Sequence, residues 1–164
     1  MSPDWLHAGR VGRPHGLDGS FHVTRGRWLL LEPGATLRVR DRDHVVERRA
    51  GTEDRPILRF AGAASREDAE ALRGADLQAP LDAAPALEEG AFWAEELEGC
   101  AVADGDIAVG VVVAMDELPS CEVLRVRRTD GAELLVPMVA DAVRSIDVAA
   151  RRIDIDMAFL GETV

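Results

Sequence analysis

The sequence predicts a mainly β protein, two small β-barrels in tandem with one short helix in the first and short helical turns in the second. Three observations point there. Apolar residues recur with period two in several short runs, the pattern of a strand with one buried face. Glycine and proline interrupt these runs at Gly12, Pro14, Gly16, Gly19, Gly26, Pro33, Gly34 and Gly51, a spacing that suits a small closed sheet better than a parallel α/β sheet. The charge also divides: residues 1–82 hold 13 Arg and 13 acids, residues 83–164 hold 6 Arg and 17 acids, and the second half therefore carries the whole net charge of −11.

In chain order, Phe21 and Val23 alternate with His22 and Thr24, Leu37 and Val39 alternate with Arg38 and Arg40, and Ile57, Leu58 and Phe60 follow Pro56. Each reads as a half-buried strand. A helix of about two turns comes next. Ser65 caps it, Asp68 completes a capping box and Gly74 stops it. Ala69 and Leu72 share its inner face, with Leu72 as the expected anchor, and Arg66, Glu67, Glu70 and Arg73 face solvent. Residues 80–91, PLDAAPALEEGA, combine two prolines, a glycine and acids where the charge balance changes. The expected division is residues 1–82 as a first barrel, 83–91 as a linker and 92–164 as a second barrel. Beyond it, strands are expected at residues 109–114, at Val123, Leu124 and Val126, at 134–136, and at Ile153 and Ile155. Asp130 and Gly131 supply a hairpin turn.

Composition narrows the function classes. The chain is 47% apolar and 30% charged, ordinary for a globular protein. Its longest apolar stretch, residues 107–115, is broken by Gly110 and falls far short of the roughly 20 residues of a membrane span, so no membrane partner is expected. Residues 1–9 carry Asp4 and His7 and no basic leader, which reads as a cytoplasmic protein. Cys100 and Cys121 lie in no CxxC pair and near no His cluster. They read as buried small apolar residues, with no metal and no cofactor expected. No GxSxG, HExxH or GxxxxGK[ST] spacing occurs, and the reading is of a protein that is not an enzyme. An acidic second half repels phosphate and attracts basic protein.

Two segments stand out. Residues 9–19, GRVGRPHGLDG, offer Arg10, Arg13, His15 and Gly16 either as a contact with phosphate or as tight barrel turns, and the habits of turn glycine favour the second. Phe92 and Trp93 sit between Glu88, Glu89 and Gly90 on one side and Glu95 and Glu96 on the other. The setting is not a strand, where two adjacent aromatics could not both face inward; in a barrel-capping turn one ring packs against the core and the other remains exposed, and the alternative is that both rings glue the two domains together. Exposed aromatics ringed by charge are a common composition of binding hot spots.

Four blocks, taken together, resemble a known family. Residues 8–23, AGRVGRPHGLDGSFHV, residues 65–77, SREDAEALRGADL, residues 89–99, EGAFWAEELEG, and residues 134–156, LLVPMVADAVRSIDVAARRIDID, are similar in content and order to segments of the RimM family of ribosome maturation factors. The resemblance implies a translation-factor-like first barrel, a PRC barrel as the second, and binding to the assembling small ribosomal subunit through small-subunit ribosomal protein nineteen. Maturation of the subunit head and 16S rRNA processing would follow. Phe92, Trp93, Glu95 and Glu96 take the partner-binding positions by this resemblance, and Arg10, Arg13, His15 and Gly16 are a ribosome contact or a structural turn. The chain departs from the family's usual pattern in having no Tyr, so Phe92 with Trp93 replaces a pair that commonly includes Tyr, and in placing Glu96 rather than Asp before Leu97.

The expectation is a monomeric assembly factor with, at most, a weak 16S rRNA contact. Two rivals remain open at this point. One is a direct RNA-binding module using Arg10, Arg13, Arg25, Arg27, Arg38, Arg40 and Arg42. The other is an enzyme built around the His15 loop.

Overall fold

A computed structural model describes residues 4–162, and they form a mainly β protein of two compact units, the first Asp4–Leu87 and the second beginning at Glu88. The expected linker, residues 83–91, spans the division between them.

The first unit runs β1 (Trp5–His15), β2 (Ser20–Thr24), a 3-10 turn (Trp28–Leu30), β3 (Thr36–Val39), β4 (Arg42–Thr52), β5 (Arg55–Phe60), α1 (Arg66–Leu72), β6 (Asp76–Pro80) and a second 3-10 turn (Leu81–Ala83). The sheet closes in the order β1-β2-β5-β4-β3-β6, with every pair antiparallel. Alternation turns Leu6, Val11, Phe21, Leu37, Leu58, Phe60 and Leu77 inward, all buried. The Phe21 and Phe60 rings meet at 5.3 Å near the centre.

Residues 9–15, read from sequence as turn-forming, belong instead to β1; only residues 16–19 turn. β1 has irregularities between His7 and Gly9 against β6, and between Val11 and Pro14 against β2. A Cβ on Gly9, whose φ is +147°, would lie 2.5 Å from Val23 Cγ1, and one on Gly12 would lie 2.9 Å from the His22 carbonyl oxygen. These two glycines let strands approach at bulges.

The capping box of α1 forms as expected. The Asp68 N–H donates to Ser65 Oγ at 3.3 Å, and the Asp68 carboxylate accepts from the backbone of Ser65 and Ala64. Those bonds hold the Asp68 pKa below the usual carboxylate range. The anchor differs: Ala69 is buried and Leu72 only half-buried. Seven residues place one side chain fully against the barrel, and Leu72 instead lines a surface groove with Phe21, His44 and Phe60. The Arg40 guanidinium completes the other end by donating to the Ala71 and Arg73 carbonyls at 2.6 and 3.3 Å.

The second unit runs α2 (Ala94–Leu97), β7 (Ala101–Asp104), β8 (Ile107–Glu117), β9 (Glu122–Arg128), β10 (Glu133–Pro137), β11 (Val143–Asp147) and β12 (Arg152–Ile155), in sheet order β10-β9-β8-β7-β12-β11. Its strands pair antiparallel except β7 with β12, which are parallel. Leu97, Val102, Val112, Leu124, Val126, Ile153, Ile155 and Met157 form the core. Asp130 and Gly131 turn the β9–β10 hairpin, where Asp130 Oδ1 accepts the Ala132 N–H at 2.9 Å. A Cβ on Gly110 would collide with the Arg127 carbonyl oxygen, so glycine lets β8 lie against β9. Cys100 is buried, and burial pushes its thiol pKa up. Cys121, expected to be buried as well, is only half-buried, because it sits at the exposed bend between β8 and β9 beside Ser120.

Candidate docking site

The aromatic pair leads directly into α2. Leu97, fully buried, pins that helix to the core, and Glu96 turns back so that its carboxylate accepts the Trp93 N–H at 3.2 Å. At the other end the Arg151 guanidinium donates to the carbonyls of Glu96 and Glu98 at 3.1 and 2.7 Å, and Cys100 Sγ donates to the Glu96 carbonyl at 3.4 Å. A four-residue helix has little stability of its own, so these ties fix it in place.

Both rings are half-buried, which corrects the expectation of one inward and one exposed ring. The segment 91–93 is not a strand, as the sequence suggested. Phe92 packs against the core cluster and, with Glu89, Gly90, Met138, Val139 and Ile146, lines a groove of about 470 Å³. Trp93 precedes the first residue of α2. Glu95 and Glu96 are half-buried rather than fully solvated, and the Glu96 carboxylate is in part committed to the helix start.

Arg144 on β11 lines the same groove. Its guanidinium pairs with Asp104 at 2.8 Å, Asp154 at 3.1 Å and Asp156 at 3.8 Å. The hydrogen bond from Arg144 is the main reason the Asp104 carboxyl lies below its usual range, helped by the Met157 N–H. Sequence reading identified Phe92, Trp93, Glu95 and Glu96 but not Arg151 or Arg144. Arg151 meets its partners across more than 50 residues of chain, and no local pattern announces such a tie.

In the first unit, Arg10, Arg13, His15 and Gly16 are not gathered into one cluster. Arg10 pairs with Asp76 at 3.4 Å, and the Gly16 carbonyl accepts from Arg66 at 3.2 Å. Arg13 and His15 are exposed, with the His15 ring 5.0 Å from that of His22. Of the arginines grouped as an RNA surface, Arg38 stacks over Trp5 at 4.2 Å and pairs with Asp43 at 3.0 Å, and Arg40 caps α1. Among the described residues no group of His, Cys, Asp and Glu could hold a metal ion. No helix among them is long and apolar enough to cross a membrane.

Fold and site together define a protein of two small β units in tandem, of which the acidic second one presents aromatic and carboxylate side chains on a braced platform. Known sequences give that class a family. The RimM N-terminal domain model matches residues 6–84 and the RimM PRC barrel domain model matches residues 94–158, and the chain belongs to the RimM family. The protein named ribosome maturation factor RimM in Sorangium cellulosum is 34% identical over 90% of this chain and 91% of its own length. Its namesake in Synechococcus elongatus is 33% identical over 92% and 89%. The solution structure of the N-terminal domain of RimM from Thermus thermophilus is 27% identical, covering 51% of this chain and 98% of that one, with a TM-score of 0.45.

Proposed function

We propose that the protein is a non-enzymatic, monomeric factor of ribosome maturation that acts in the cytoplasm by docking a basic ribosomal protein on its acidic second unit. The partner is small-subunit ribosomal protein nineteen, met by Phe92, Trp93, Glu95 and Glu96. Docking holds the head of the assembling small subunit in a form that can mature, and 16S rRNA processing follows.

One observation carries the reading: an aromatic pair held by buried and charged ties in the unit with the acidic surplus. Half-buried rings fixed before binding lose little entropy on docking, and negative charge steers a basic partner toward them. The test is titration of the full chain against isolated small-subunit ribosomal protein nineteen and against naked small-subunit rRNA at two salt concentrations. Saturable binding to the protein is expected. A Phe92→Ala, Trp93→Ala double variant that folds normally should lose about 2 kcal/mol or more, roughly thirty-fold in affinity. Undiminished affinity in that variant would remove the aromatic pair from the reading.

A further inference from the structure

The outward face of the first barrel carries a cationic group that the docking site does not use. At the bulge between Val11 and Pro14, Gly12 and Arg13 lie across from His22, and His15 follows two residues later. β2 then pairs with β5, setting His22 opposite Ile57, with Arg55 two residues before Ile57 on the same side. The alternating neighbours Val11, Pro14, Phe21, Val23, Pro56 and Leu58 are buried, which leaves Arg13, His15, His22 and Arg55 outward. The two imidazoles meet edge to face, 5.0 Å apart.

Arg10, Arg38, Arg48, Arg49 and Arg59 each pair with a carboxylate. Arg13 and Arg55 form no ion pair among the described residues. Burial first, and then Arg13 and His15 from β1 and Arg55 from β5, hold the His22 imidazole below the usual histidine range. The nearest acids in sequence are Asp18, whose carboxylate pairs with Arg48 and Arg59, and Glu53 and Asp54, which lie in the turn beyond the Thr52–Arg55 pair that ends the β4–β5 ladder. Two guanidinium charges without a carboxylate partner favour a bound anion, which also favours protonation of the imidazoles beside them.

From this juxtaposition we propose that Arg13, His15, His22 and Arg55 form a phosphate-binding face for the backbone of RNA. Three adjacent strands spread the donors over about 10 Å, a span that meets successive phosphates along one strand. Arginine forks match phosphate oxygens. Nothing in the group reads a base edge, so binding is independent of sequence. Of the seven arginines grouped in the sequence this keeps Arg13 alone, and it adds Arg55 and two histidines. It rests on the ribosomal reading only for which RNA is met.

The test uses the full chain and a 20-base-pair RNA duplex at pH 7.5 and 6.0, each over a range of salt. Binding is expected to tighten at pH 6.0, because a bound phosphate favours protonated imidazole. An Arg13→Gln, Arg55→Gln double variant with unchanged melting should bind at least about tenfold more weakly, with a log–log salt slope shallower by about two, one per arginine. His15→Gln with His22→Gln should abolish the pH dependence. Phe92→Ala with Trp93→Ala should leave RNA affinity unaltered, and Arg13→Gln with Arg55→Gln should leave binding to ribosomal protein nineteen unaltered, so the two sites fail separately. An unchanged salt slope in the arginine variant overturns the proposal. Displacement of RNA by polyglutamate of equal charge at equal concentration overturns it in favour of an acidic protein partner.

Discussion

In the first unit every pair of neighbouring strands is antiparallel and the sheet closes on itself, whereas the second contains the parallel β7–β12 pair and ends on β10 and β11. The two units also use charge differently. In the neutral first unit, arginines tie strand to strand or cap a helix, as Arg40 caps α1. In the second, Arg144 joins β11 to Asp104 at the end of β7 and to Asp154 on β12, holding together the three strands around the parallel pair. Arg125, Arg128, Arg151 and Arg152 are also engaged, with Asp116, Glu162, the Glu96 and Glu98 carbonyls and the Gly105 carbonyl. The lesson is that an acidic unit can engage nearly all its arginines internally and still keep a net negative charge.

The comparison can be broken most sharply at the cores. Phe60→Ala removes a buried ring from the first unit and should cost about 3–5 kcal/mol. Amide NMR signals of residues 88–162 should stay in place while those of the first unit broaden or vanish; loss of both sets together would make the units one cooperative body. Next in size is Gly110→Ala, which drives a methyl into the Arg127 carbonyl and should cost about 1–3 kcal/mol in the second unit by overpacking. Denaturant midpoints of the two units, followed by the same signals, would show whether the first is spared. Ser65→Ala removes the cap of α1 and should cost about 1 kcal/mol, confined to the first unit.

The smallest effect separates the units by pH. A histidine whose folded pKa is depressed contributes stability that is present above its unfolded value near 6.5 and is lost as pH falls through the folded value. His22 gives the first unit such a loss, beginning just below neutrality. Depressed carboxyls follow the same sign from about 3.8 downward: Asp18 and Asp68 in the first unit, Asp104 in the second. Between pH 6.5 and 4.5 the first unit should therefore soften while the second holds, as read by hydrogen exchange. His22→Gln should flatten that slope, and Arg144→Gln should raise the pH at which the second unit begins to fail in acid.

Strands whose apolar residues alternate cleanly, such as those around Phe21, Leu37, Val126 and Ile153, were legible in the sequence, and so were the Ser65 cap and the turn at Asp130. β4 was not, because across its 11 residues only Val46 is fully buried. β1 was hidden by Gly9 and Gly12, which mark turns far more often than bulges and can be told apart only when the opposing strand is in place. The aromatic pair could be found locally, but its bracing by Arg151 could not. The arginines show the same limit in reverse: Arg10, Arg38 and Arg40 looked like a surface for RNA until Asp76, Trp5 and the end of α1 came beside them. His22 passed as the polar member of an alternating run, since nothing near it in sequence reveals the cations across the sheet.

The β7–β12 pairing has a consequence for how the chain is made. Its two strands lie about 50 residues apart, with β8 to β11 between them, so the centre of the second sheet cannot be completed until residue 155 has left the ribosome's exit tunnel. The first barrel has all its strands once residue 80 has emerged, and domains generally fold in order of synthesis. While translation continues through the second unit, Val102, Val109 and Leu124 wait without Ile153 and Ile155 to cover them. A ribosome that pauses late in this message holds a nascent chain with one finished barrel and one exposed apolar sheet, the substrate a chaperone at the exit port would bind.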